Sequence, residues 1–172
     1  MTFRLAHITR LLGVALLLAL GGCSGGYSFT GASIPPQAKT ISVKTFPNYA
    51  STINPQLSQK LSDDLRNMFS SQTSLDVVGG DGDLQVSGEI TDYSTRTSAI
   101  SSGDEASMIR FSITIKVKFV NRYDPDTDFE QSFTRYRDYN AQLNFSSVES
   151  SLMSEIVNEL CEDVFNKAVV NW

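Results

Sequence analysis

The sequence predicts an α+β fold: a single mostly antiparallel or mixed sheet of about four strands with two helices packed on one face. Three observations carry this. Leu57 to Phe69 and Val148 to Ala168 repeat apolar residues at helical spacing. Residues 109–119 alternate apolar and polar side chains without a break, which implies one covered sheet face and one wet one. The elements run strand, helix, several strands, helix, and both helices close the apolar face most simply.

The N-terminus reads as an export signal. Arg4 and Arg10 precede Leu11 to Leu20, an apolar run too short to cross a bilayer, which needs about 20 residues. Leu20-Gly21-Gly22-Cys23 resembles a lipobox, so residues 1–22 are expected to be a lipoprotein signal peptide. Cys23 would then carry diacylglycerol on sulfur and an acyl chain on nitrogen, and several chains anchor far better than one. Ser24 follows where an inner-membrane retention signal would show Asp, which points to the outer membrane, facing the periplasm. Residues 23–39, with Gly, Ser and Pro35-Pro36, read as a lipidated tether and an extended lead-in. Residues 40–172 are the α+β domain.

Thr40 to Phe46 is β-branched and alternating, a first strand ended by Pro47. Asn54 as cap and Pro55 in the first turn open a helix, with Leu57, Leu61, Leu65 and Met68 on one stripe. Leu75 to Val78 is a short strand before the Gly79–Gly82 turn. Leu84, Val86, Gly88 and Ile90 face one way along a strand that extends towards Ile100. After a polar loop at 101–107, Ile109 to Phe119 is the clearest strand. Asp124 to Asp128 turns the chain, and Phe129 to Tyr139 returns. That last strand has apolar residues on both parities, which predicts a bulge or cover on both sides. Ser146 and Glu149 form a candidate capping box for the final helix. Val148, Leu152, Ile156, Leu160, Val164 and Ala168 line it, and Glu155, Glu159, Glu162 and Asp163 are placed on its solvent side.

Composition narrows the function. Cleavage removes Arg4 and Arg10 from the 14 Lys+Arg, leaving 12 against 19 Asp+Glu, and so acidic a chain is a poor nucleic-acid ligand. The single histidine, His7, lies in the signal, so histidine-based catalysis and histidine metal sites are excluded. Cys161 sits in the apolar stripe and reads as a buried, inert thiol. Asp124, Asp126 and Asp128 mimic the start of a calcium loop, but Phe129 and Arg135 stand where that loop needs Gly and Glu. Neither a cofactor nor an enzymatic activity is expected.

Basic residues cluster instead. Arg110, Lys116, Lys118, Arg122, Arg135 and Arg137 fall within residues 110–137, and pairing of 109–122 with 129–139 would bring them together. Tyr93, Phe133, Tyr136 and Tyr139 lie among or near these charges. Such a patch could hold phosphates. It could equally keep the open sheet face soluble.

Gly26-Tyr27-Ser28-Phe29-Thr30-Gly31, Ile34-Pro35-Pro36, Thr40-Ile41-Ser42-Val43 and Phe46-Pro47-Asn48 resemble the LptE family, lipopolysaccharide-assembly lipoproteins of the outer membrane. Asn54-Pro55, Ser71-Gln72-Thr73, Gly82-Asp83-Leu84 and Gly88-Glu89-Ile90-Thr91 extend the likeness. The resemblance implies a sheet of about four strands carrying two helices. It also implies a lipoprotein seated inside an LptD-type β-barrel, which it helps to fold and plugs, the pair forming a lipopolysaccharide translocon. Glycolipid contact through basic residues, without catalysis, belongs to the same expectation. Charge placement alone adds Arg96 to the six cations above as candidate lipopolysaccharide contacts. The competing reading is a free-standing periplasm-facing lipoprotein that binds a glycan or envelope polymer.

Overall fold

In the computed structural model, residues 34–99 and 107–170 are described. The signal peptide, Cys23 and the tether to residue 33 lie outside them, as does the loop at 100–106. Strand β1 (Thr40–Val43) leads through helix α1 (Pro55–Gln72) to β2 (Asp76–Val77). Three longer strands follow: β3 (Leu84–Ala99), β4 (Met108–Asn121) and β5 (Phe129–Asn140). Helix α2 (Phe145–Val169) closes the chain. The five strands form one sheet in the order β2-β1-β3-β4-β5. β1 is parallel to β2 and to β3, and the other two pairings are antiparallel. The sheet is mixed, with the two-residue β2 as its fifth strand.

Each helix begins where its chemistry dictates. The Asn54 side chain accepts from Gln56 N at 2.9 Å, and Pro55 in the first turn has no N–H to leave unpaired. Leu57, Leu61, Leu65 and Phe69 are fully buried along one side of α1. Two hydroxyls of that helix hold the chain as it leaves β1: Ser62 Oγ accepts from Phe46 N at 3.0 Å, and Ser58 Oγ donates to Phe46 O. The cap of α2 corrects the expected capping box. Asn144, not Ser146, is the cap, and its side chain accepts from Ser146 N at 3.1 Å. Glu149 instead reaches across to accept from the Tyr93 hydroxyl and from Asn54 Nδ2 at 2.9 Å. One carboxylate thus ties α2 to β3 and to the start of α1.

The core lies between the sheet and both helices. α1 packs over β1 and β2, α2 over β5 and β4, and the helices touch each other. In register, Val86, Phe119 and Phe129 form one inward row, and Ile90, Ile115 and Phe133 another. Gly88 occurs inside β3 because a Cβ there would stand 2.2 Å from Lys116 O and 2.5 Å from the Phe46 ring.

A bulge exists, but in β3 rather than in the strand at 129–139. Ile90 faces Ile115 and Asp92 faces Thr114, so Thr91 is the extra residue. Before it the even-numbered residues point inward; after it the odd-numbered ones do. Tyr93 therefore enters the core, 2% exposed and edge-on to Phe111. β5 pairs with β4 from Phe129 to Asn140 without a register shift. Its mixed parity has another cause: Phe129, Phe133 and Tyr139 face the helices together with two arginines.

Candidate functional site

The register of β4 and β5 divides the six clustered cations. Arg110 is opposite Asp138, and Lys118 is opposite Glu130, with Lys116 on the same side. These point to the open face. Arg137 is opposite Phe111 and Arg135 opposite Ile113, which are fully buried on the helix side. The pleat thus sends Arg135 and Arg137 to the other face. The expected convergence does not occur.

Arg135 and Arg137 meet the acidic side of α2. Arg135 grips Asp163 through two hydrogen bonds. Arg137 donates to Glu155 at 2.8 Å and to Glu159 at 2.5 and 3.1 Å. Glu155, Glu159 and Asp163 recur every four residues, so one helix face reads along β5. Their assignment to free solvent is corrected: they hold the last strand to the last helix. Hydrogen bonds from Arg137 keep the Glu159 carboxyl below its ordinary range. Among the described residues Glu162 pairs only with Asn158, at 2.8 Å.

The open face is a balanced mosaic rather than a basic patch. On β3 to β5 it carries Arg96, Arg110, Lys116 and Lys118 against Glu89, Asp92, Glu130 and Asp138. Arg110 forms a two-pronged bond to Asp138, both arms 2.8 Å, and its guanidinium lies 3.7 Å from the centre of the Tyr136 ring. Lys116 Nζ is 2.5 Å from Glu130, which lowers that carboxyl and raises the lysine. Arg96 and Lys118 have no ion pair among the described residues. They lie at opposite ends of the face, because eight residues of β4 separate Arg110, the cross-strand neighbour of Arg96, from Lys118, about 27 Å. Lys118, Lys116, Ser87, Glu89 and Glu130 border a shallow hollow of about 300 Å³. Seryl and threonyl hydroxyls fill the rows between, with Ser94, Ser112 and Tyr136 in one line and Asp92, Thr114 and Thr134 in the next.

Arg122 belongs to neither face. It follows β4, with its guanidinium 3.9 Å from Asp83. Asp83 is the residue that sequence reasoning did not single out. Its Oδ2 accepts from Lys39 N, Thr40 N and Thr40 Oγ1 at 2.9 to 3.1 Å, and its Oδ1 accepts from the Tyr123 hydroxyl at 3.2 Å. These bonds, with the Lys39 amide first, hold its carboxyl below the ordinary 3.8. Asp83 pins the start of β1 to the start of β3. Its signals were its place beside Leu84 after a glycine turn and the presence of Gly82-Asp83-Leu84 in the family resemblance.

The remaining candidates are structural. Cys161 is fully buried, and desolvation pushes its thiol up to about 12. Asp124 and Asp128 shape a turn around the single-turn helix at Pro125–Thr127, with Asp128 accepting from Asn121 N at 2.7 Å. Among the described residues, no group of three or more Cys, His, Asp or Glu is placed to hold a metal ion. No helix among them is long and apolar enough to cross a membrane.

The fold is shared with solved lipoproteins of distant sequence. A minor lipoprotein from Acinetobacter baumannii is 14% identical with a TM-score of 0.50, over 76% of this chain and 91% of that one. Lipoprotein B from Nitrosomonas europaea is 11% identical with a TM-score of 0.50, over 77% and 81%. No curated protein sequence matches the chain. The LptE family model, described as lipopolysaccharide-assembly, matches residues 38–168, from the lead into β1 to the last turn of α2. With the whole sheet, α1 and all but the last residue of α2 inside that match, the chain belongs to the LptE family.

Proposed function

We propose that this chain is an outer-membrane lipoprotein, lipidated at Cys23, that seats inside an LptD-type β-barrel and assists insertion of lipopolysaccharide. The family match across residues 38–168 carries this reading. The fold is compatible with it: one sheet face is closed by helices, and the other offers a charge-balanced, hydroxyl-rich surface to a polar barrel lumen. The protein acts by binding alone. Of the seven candidate cations, Arg96 and Lys118 are best placed to meet glycolipid phosphates, since neither has a carboxylate to give up among the described residues. Arg110 and Lys116 would have to give up Asp138 and Glu130. Arg135 and Arg137 are committed to α2.

Co-purification of the C-terminally tagged protein from detergent-solubilised outer membrane tests the partnership. A large β-barrel at one-to-one stoichiometry is expected, and recovery of the lipoprotein alone would reject it. Titration with diphosphoryl lipid A tests the contacts. Arg96→Ala and Lys118→Ala are each expected to weaken binding about threefold to tenfold, the loss of roughly one charge-assisted contact. Arg135→Ala combined with Arg137→Ala should leave binding within about twofold.

A further inference from the structure

β5 is an edge strand of 12 residues, about 40 Å long, whereas the opposite edge, β2, has two residues. Its hydrogen-bonding direction follows from two contacts. Ala141 N donates to Ser107 O at 2.9 Å, one step beyond the Met108–Asn140 pair. Arg137 Nη1 reaches the carbonyl of Tyr136 at 3.0 Å from outside the ladder. In an antiparallel ladder the N–H and C=O of one residue point the same way, and the sense alternates along the strand. Odd-numbered residues of β5 therefore bond to β4. Glu130, Ser132, Thr134, Tyr136 and Asp138 turn their backbone groups outward.

Long edges are usually blunted by proline, bulges or outstretched charges. β5 has no proline and no register shift. It has four charged residues, and each is ion-paired back into its own molecule: Glu130 to Lys116, Asp138 to Arg110, Arg135 to Asp163, and Arg137 to Glu155 and Glu159. Paired inward, they do not guard the edge against a strand that sets no like charge opposite them.

Self-association fits this edge poorly. A symmetric antiparallel pairing must set even residues against even ones. Two such registers use nearly the whole strand. Centred on Thr134, the pairing opposes Glu130 to Asp138 twice; centred on Arg135, it opposes that arginine to its own copy. Like charges directly opposite destabilise a pair. A different chain avoids both clashes.

We infer that the outward edge of β5 takes an extended segment of the barrel partner as an added strand, with main-chain hydrogen bonds at Ser132 and Thr134 and at the N–H of Tyr136, whose carbonyl Arg137 already holds. This rests on the barrel partnership proposed above. A closed barrel wall has no free edge, so the segment comes from a loop folded into the lumen. Polar side chains suit its open side, where they would lie beside Ser132, Thr134 and Tyr136.

The test is Thr134→Pro in the full lipidated chain, co-expressed with the barrel. Proline at an outward edge position removes one external N–H and leaves the β4–β5 ladder intact. Thr134→Val changes the side chain and keeps the N–H. The inference expects barrel recovery to fall at least about tenfold for Thr134→Pro and to stay near wild type for Thr134→Val. Undiminished recovery with Thr134→Pro overturns the inference and leaves the partnership standing. Absence of barrel with the wild-type chain overturns both. A stable dimer of the isolated protein that Thr134→Pro dissociates would make a second copy the occupant and overturn it too. Should Thr134→Pro fail to melt cooperatively, hydrogen exchange on the wild type decides. Slowed amides at Ser132, Thr134 and Tyr136 in the complex support the added strand, and unchanged rates reject it.

Discussion

At Gly88 a β-carbon would press on the backbone carbonyl of Lys116, and a carbonyl held in a ladder cannot swing aside. Gly88→Ala is therefore expected to cost about 3 kcal/mol, at the upper end for overpacking, read as a fall in the urea midpoint at unchanged slope. Asp83 makes a different prediction, one of pH. Its folded carboxyl lies below the ordinary 3.8, so its stabilisation is present above that value and is lost as pH falls through the folded one. Asp83→Asn should lower the melting temperature at neutral pH, and the gap from wild type should close in acid. A gap that persisted unchanged well below pH 3.8 would reject the role. Neither residue announced its environment. Gly88 looked like one more member of an alternating run. Asp83 looked like part of a turn, because its three hydrogen-bond donors at Lys39 and Thr40 lie more than forty residues earlier.

Among the elements, α1 and β4 were legible because their patterns are local. A stripe of leucines and a strict alternation are each set by burial on one side of one segment. β5 was harder to read, since two of its inward positions are arginines that find carboxylates on α2 rather than an apolar neighbour. That pairing is long-range, and no periodicity in either segment reveals it. The clasp should be modest in strength. Arg137 and Glu159 are each about a third exposed, so a double-mutant cycle to alanine is expected to give a coupling of roughly 0.5–1 kcal/mol. It should shrink in about 0.5 M salt, where exposed charges are screened. A coupling that salt leaves untouched would mean that packing of the arginine stem holds β5 to the helix.

For the whole molecule, the sequence supported one sheet, two helices and a single covered face. It misplaced the convergence of charge, because which face a side chain takes depends on the phase of its strand. That phase could be read in β4 but not in β3, where Tyr93 follows Ile90 at an odd interval. The bulge also bears on which lengths of β3 the fold accepts. Thr91 is a residue that the facing of β3 does not count, as is Ser98 at the second register shift: without Thr91, Ile90, Asp92 and Tyr93 would still point in, out and in. Deleting Thr91 should leave a protein that melts cooperatively, losing only the local bend. Deleting Ser87 should abolish the cooperative transition, since the strand could realign only by turning Leu84 and Val86 outward, or Glu89 inward and Ile90 outward. β3 thus behaves like a reading frame with two silent positions, Thr91 and Ser98, and natural length variation in this strand is expected to collect there.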